Sequence, residues 1–201
     1  MVVLSGRACA PARTLYGKGV MRWFASLLVV MVLAGCAPSE RPTVAATARF
    51  TEGFSTTDVA WLQLTDALHA RARPMLELAP ERAASRSLAR LAERLGAAQE
   101  AGRGRLRALL AEAGITGENP HTQHDMPGMP TAADLKALAG LRESAFDRRF
   151  AALLRAYLEQ LVLVADGEQG SGGAARAREL ARAMAREHAG DLAELERAVA
   201  A

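Results

Sequence analysis

Apolar side chains recur at helical spacing along most of this chain. The strongest stretch is Phe146, Phe150, Leu153, Leu154, Tyr157, Leu158, Leu161 and Val162. Their i, i+4, i+7, i+8 pattern describes one face of a long amphipathic helix. The glycine-rich run Asp166-Gly167-Glu168-Gln169-Gly170-Ser171-Gly172-Gly173 that follows reads as a helix breaker and linker. A last helix, about 174–200, then turns Leu180, Met184, Leu192, Leu195 and Val199 inward.

The preceding half carries the same kind of signal. Ser55-Thr56-Thr57-Asp58 is a cluster of N-cap residues. Trp61, Leu64, Leu68 and Met75 follow on one helical face. Pro74 is expected to kink or interrupt this helix, and Pro80 to end it or open the next. A second helix is expected over 81–113, with Leu88, Leu91, Leu95, Leu106 and Leu109 as its stripe and Gly114 as its C-cap residue. Between the halves lies a Gly, Pro and His-rich loop, 114–130. Thr131 and Asp134 form a capping-box pattern for a short helix ending near Gly140. The pattern predicts an all-α protein, a four-helix bundle built from two helical hairpins, about 54–113 and 131–201.

The halves also echo each other. Phe54-Ser55-Thr56-Thr57-Asp58 opens one and Phe146-Asp147 the other. The second helix of each half has a polar group on its apolar face, Gln99 in the first and His188 in the second.

The segment before the bundle has a different character. Met21-Arg22, an apolar run of eleven residues over 23–33, and Leu33-Ala34-Gly35-Cys36 together make a lipoprotein signal. The run is too short to span a bilayer as a mature helix. The expected organisation is therefore a mis-assigned leader over 1–20, a signal peptide over 21–35, and a Pro, Ala and Thr-rich tether over 36–53 with lipid on Cys36. This places the bundle outside the cytoplasm, held to the membrane through Cys36.

The signal changes the meaning of the composition. Arg7, Arg13, Lys18 and Arg22 all precede Cys36, and no acidic residue does, so the formal charge falls from +3 for the whole chain to about −1 after processing. Positive charge thus gives no support for a nucleic-acid partner. With Cys9 in the leader and Cys36 acylated, no thiol remains for a disulfide, a thiolate metal site or a nucleophile. No nucleotide-binding glycine motif follows a strand pattern, and no Ser/His/Asp arrangement is evident, so the chain is read as a non-enzyme.

Four segments, in order and spacing, resemble a known family: Thr57-Asp58-Val59-Ala60-Trp61-Leu62-Gln63, Leu91-Ala92 through Gln99, Met126-Pro127-Gly128-Met129, and Phe146-Asp147-Arg148-Arg149-Phe150. The family is the bacterial ferritin-like "domain of unknown function three-oh-five", secreted or lipid-anchored, with some members associated with copper. The resemblance implies Met-Met-x-x-His-His on the first helix of each half and Gln-x-x-Glu-x-x-x-Met on the second. Thioethers and imidazoles directed into a bundle suit copper, Cu(I) in particular.

This chain departs from that pattern. Leu64-Thr65 stands at the first Met pair and Leu68-His69 at the first His pair. Leu154 and Tyr157-Leu158 stand at the corresponding positions of the second half. Gly102 and Leu106 replace the Glu and Met of the first half's second helix. His188, Asp191 and Leu195 replace the Gln, Glu and Met of the last helix. His69, Met75, Asp191 and His188 remain as a vestigial core set. The plainer expectation puts His69 on a helix flank at heptad spacing from Leu62 and Leu76, and His188 as a hydrogen-bonded residue in an apolar stripe.

The loop gathers more donors in less sequence. His121, His124, Asp125, Met126 and Met129 offer two imidazoles, a carboxylate and two thioethers within nine residues. Such a set suits Cu(I) through Met and His, or Cu(II) through His and Asp. The plainer reading, which weighs more, is a solvated connector turned by Pro and Gly. Of the two places for a metal, the loop ranks above the core. The paired Glu-x-x-His motifs of a di-iron enzyme are absent. Two function classes remain: a diverged copper-binding module with weak affinity in the loop, or a metal-free scaffold lipoprotein that meets an unknown envelope protein.

Overall fold

The computed structural model describes residues 53–200, and within them every regular element is helical. The signal, the tether and Cys36 lie outside the described residues. In chain order the elements are α1 (Thr56–Arg82), α2 (Arg86–Glu112), a single 3-10 turn (Pro120–Gln123), α3 (Ala132–Ala139), α4 (Glu143–Ser171) and α5 (Ala175–Ala200). α1 packs along α2 and α4 along α5. The two hairpins join mainly through α1 against α4, with α2 and α5 closing the other side. The four long helices form the expected bundle.

Several boundaries follow the predicted chemistry. Ser55 caps α1 in a capping box with Asp58, and Thr131 caps α3 in a second box with Asp134. The end of α2 is a Schellman motif: Ile115 N–H donates to the Leu110 carbonyl and Gly114 N–H to that of Ala111. Gly114 adopts the required left-handed conformation, φ +79°.

Other boundaries differ from the sequence expectation. α1 runs through both Pro74 and Pro80, which lie on its exposed side. Its buried face of Leu68, Ala72, Met75, Leu76 and Ala79 holds both flanks of Pro74, and the chain leading into Pro80, to the core. Tertiary packing outweighs the lost N–H donors. α2 accordingly starts at Arg86, capped by Ser85, and not at Glu81. The glycine-rich run is not a linker: α4 continues through Gly167 and Gly170 to Ser171 because Ala165 and Glu168 remain buried on its inner face. The true turn is only Gly172-Gly173-Ala174. Val199 is 51% exposed and does not face inward.

The core has two apolar clusters. One gathers Leu68, Met75, Leu91, Leu95, Phe146, Phe150 and Leu158 with others. The second gathers Trp61, Leu62, Leu106, Leu109, Ala181 and Met184. Along α1, α2 and α5 the two clusters part at Thr65 to His69, at Gln99 to Gly102 and at His188, where the buried polar side chains sit.

The turn of each hairpin is fastened by the other hairpin. Asp147, at the start of α4, accepts hydrogen bonds from the Ala84 and Ser85 amides in the α1–α2 turn, at 3.1 and 2.9 Å. Asp58, at the start of α1, accepts from Gly173 and Ala174 in the α4–α5 turn, at 3.0–3.2 Å. The Phe-and-Asp echo between the halves is thus a reciprocal clasp.

The central connection is docked as well. Asn119 Nδ2 donates to the Gln63 carbonyl of α1 at 2.6 Å, and Gly128 lies directly on α4. A Cβ at Gly128 would overlap the Gln160 side chain and press on the Ala156 carbonyl, and its φ is +78°.

Two outcomes follow for stability. Gly128→Ala combines a steric overlap with an unfavourable φ, and is expected to cost more than about 1 kcal/mol in urea denaturation. Asp147→Ala removes two hydrogen bonds to a charged acceptor and leaves the α1–α2 turn amides without their partner. The expected loss is about 2 kcal/mol in the same measurement.

Candidate functional site

The polar layer between the apolar clusters brings together residues from all four long helices. His69 of α1, Gln99 of α2, Tyr157 of α4 and His188 of α5 are all buried. The His69 and His188 rings lie 5.7 Å apart between centroids, tilted by 58°. His69 Nδ1 and the Tyr157 hydroxyl are 2.5 Å apart. His188 Nδ1 faces the Asp191 carboxylate at 3.4 Å, one turn along α5.

The outer nitrogens of both rings are therefore engaged, while the inner ones are not. His69 Nε2 and His188 Nε2 are each fully buried without a hydrogen-bond partner. The Gln99 amide and the Thr65 hydroxyl are likewise buried and unpartnered. Buried polar atoms are nearly always satisfied in native proteins, so four side chains left open in one layer are a signal of a ligand or ordered water.

The electrostatics keep His69 neutral. Burial, then His188 and the guanidinium groups of Arg103 and Arg105, pull its pKa down to about 3. Burial also pushes the Tyr157 hydroxyl well above its ordinary value, so it stays protonated. With the proton on Nδ1, donated to the Tyr157 oxygen, neutral His69 presents a lone pair at Nε2; with the hydroxyl donating to Nδ1 instead, Nε2 carries the proton. His188 Nδ1 faces Asp191, so its Nε2 is the ring nitrogen left without a partner. Imidazoles oriented by a carboxylate or another outer partner are characteristic of metal ligands.

The geometry of the pair can be compared with a shared ion. Two imidazoles each placing a nitrogen about 2 Å from one ion hold their ring centroids at most about 6 Å apart. The observed separation lies within that reach. Gly102 leaves room beside the pair. A Cβ there would sit 3.7 Å from His69 Nε2 and 3.6 Å from the terminal methyl of Met184. Met184 thus places its terminal methyl beside the same space. A paired imidazole set with a nearby thioether fits a soft ion of low coordination number such as Cu(I). It does not fit a carboxylate-rich site: among the described residues no group of three His, Cys, Asp or Glu is arranged to hold a metal.

His69 is accordingly a core residue and not a flank residue. The remaining core candidate, Met75, is fully buried in the apolar cluster with Leu68 and Leu91. Met184 and Tyr157 read from the sequence only as stripe residues. The available signal is that Tyr157 and His69 each occupy half of a His-pair position in the two family motifs.

The loop residues are dispersed. Met129 is buried in the main apolar cluster and Met126 packs against it. Asp125 is paired with Arg71 of α1. His121 is half-buried in the 3-10 turn, and His124 is exposed. Bringing these donors onto one ion requires Asp125 to leave Arg71 and Met129 to leave the core.

Comparisons with known proteins agree with this architecture. A secreted protein of the DUF305 family from Streptomyces coelicolor has a TM-score of 0.60 at 22% identity, covering 69% of this chain and 89% of its own. A DUF305 fragment from Deinococcus radiodurans has a TM-score of 0.63 at 21% identity, covering 71% of this chain and 95% of its own. No curated protein matches the sequence. The family model for the domain of unknown function DUF305 matches residues 58–199, from the Asp58 clasp to the last turn of α5, and the chain belongs to that family.

Proposed function

We propose that this protein is a lipid-anchored, extracytoplasmic binding module that holds Cu(I) between His69 and His188 in the bundle core. The observation that carries the reading is the pair of buried, unpartnered Nε2 atoms on imidazoles whose centroids lie 5.7 Å apart. Met184 is the natural third donor, and Gln99 is a polar neighbour able to turn its carbonyl oxygen toward the same space. Tyr157 and Asp191 orient the two rings from behind. The bound ion supplies soft-acid affinity and one-electron redox character. The protein side chains contribute two imidazole nitrogens already buried in one layer.

The extracytoplasmic assignment rests on the lipoprotein signal ending at Cys36 and is consistent with the secreted relative from Streptomyces coelicolor. No helix among the described residues is long and apolar enough to cross a membrane. The loop of His121, His124, Asp125, Met126 and Met129 becomes the weaker copper site, since its donors are already committed to Arg71 and the core. A second reading, a metal-free envelope scaffold, is favoured by the leucines that fill the family's Met and His positions at 64, 68, 106, 154, 158 and 195.

Titration of the soluble domain, from Ala37 onward, with Cu(I) against a competing chelator distinguishes these. The wild type is expected to bind one equivalent. His69→Ala/His188→Ala is expected to lose that binding, whereas His121→Ala/His124→Ala is expected to retain it. The reverse result moves the site to the loop, and absence of binding in the wild type leaves the scaffold reading. Tyr157→Phe removes the partner that sets the His69 tautomer and should weaken Cu(I) binding by about 10–100-fold, measured in the same competition.

A further inference from the structure

The two clasps are related by the internal repeat, but they are not equivalent. Gly172 N–H donates to the Glu168 carbonyl at the end of α4, as Ala83 N–H donates to the Ala79 carbonyl at the end of α1. Glu168 therefore takes the place that Ala79 has in the other half. Both are buried: Ala79 is a methyl group in the core, and Glu168 is a carboxyl group 1% exposed. A second acidic group has been added to one clasp alone.

Its surroundings have been shaped to admit it. A Cβ on Gly172 would fall on the Glu168 carboxyl group, so the equivalent of Ala83 is here a glycine. Asp58 already accepts the Ser55, Gly173 and Ala174 amides, which is what a carboxylate does. Neither oxygen of Glu168 has a hydrogen-bond partner of its own. As two carboxylates the pair has no donor between them. A single proton on Glu168 supplies one.

We propose that Asp58 and Glu168 form a proton-operated clasp: a protonated Glu168 donates to Asp58 and fastens the α4–α5 turn to α1, and loss of that proton loosens it. The groups facing Glu168 are Asp58 from α1 and Arg178 from α5, and the Arg178 guanidinium acts in the opposite sense by favouring ionisation. Burial first, then the hydrogen bond and charge of Asp58, raise Glu168 to about 8. Burial also works to raise Asp58, but hydrogen bonds from Glu168, Ser55 and Ala174 outweigh it and bring Asp58 to about 2. One proton thus belongs to the pair through the neutral range, as in other close carboxyl dyads.

The direction of the pH effect is set by linkage. Glu168 binds its proton more tightly folded than unfolded, so its contribution is full below its unfolded value and declines as pH rises toward about 8. Asp58 acts the other way, with its contribution lost only as pH falls toward about 2. The neutral His69 also loses stability on acidification, from its ordinary 6.5 toward 3. His69 therefore opposes Glu168 below pH 6.5 and leaves the range between 6.5 and 8 to Glu168. The element released is α5, which carries His188.

The test is the pH dependence of the urea midpoint and of amide exchange in the full domain, wild type beside Glu168→Gln. This substitution is nearly isosteric and replaces the titrating carboxyl with an amide that is a permanent donor. The wild-type midpoint is expected to fall between about pH 6.5 and 8.5, while the Glu168→Gln midpoint stays level. Exchange at Gly173 and Ala174, corrected for intrinsic base catalysis, is expected to accelerate over the same range only in the wild type. Carbon-13 titration of the Glu168 carboxyl is expected to centre near 8. If Glu168→Gln does not fold, Glu168→Ala, which reproduces the Ala79 arrangement, takes its place with the same expectation. Superimposed pH profiles, or a Glu168 midpoint in the ordinary carboxyl range, would overturn the clasp.

Discussion

Everything else in this bundle depends on two aspartates that each hold the opposite hairpin's turn. A helical hairpin leaves unpaired amides where its second helix begins. Here those amides are satisfied from the first turn of a helix in the other half, by Asp147 for α2 and Asp58 for α5. The arrangement fixes the ends of the hairpins against each other. With α1 and α4 pinned at both ends, the side chains at their middles are held in register, and that is where His69 meets Tyr157 and His188.

The polar layer is the second consequence of that register. Apolar clusters lie above and below it, and their packing leaves few ways for the imidazoles to turn outward. A buried imidazole without a partner for Nε2 costs free energy on the order of 1–3 kcal/mol. Two of them side by side, with Gln99 and Thr65 also open, concentrate that cost in one layer. Leu68, Leu106, Leu154 and Leu158 on the neighbouring turns are fully buried, so most of the core is filled by packing rather than by donors. The polar layer persists only where His69, Gln99, Tyr157 and His188 project.

Helix identity and the overall bundle were legible because Phe146 to Val162 and Trp61 to Met75 repeat so regularly. Local breakers misled where burial overrode them. Pro80 and Gly170 both interrupt a helical pattern in one dimension, yet each sits on the exposed side of a helix whose inner face is anchored. The echo of Asp58 and Asp147 was visible as a repeat, but its meaning was not, because each carboxylate acts on a turn far away in sequence. His69 posed a similar difficulty. Heptad spacing from Leu62 and Leu76 suggested a flank, whereas only the packing of α4 and α5 could show that a tyrosine and a second imidazole cover it. Glu168 carried no signal beyond lying among glycines, since its importance comes from Asp58 across the bundle.

The reciprocal clasp also bears on how the chain acquires its structure. The contact from Asp58 to Ala174 spans 116 positions, so the first turn of the bundle is completed only by the start of its last helix. The Asp147 contact to Ser85 spans 62. Each turn has two amides whose carboxylate acceptor comes from the other hairpin. Loop-closure entropy must be overcome before either contact contributes. A half-formed bundle therefore has little to gain, and the energetic advantage arrives when both hairpins dock. The two echoing halves are interdependent, tied into one cooperative unit by an exchange of single carboxylates.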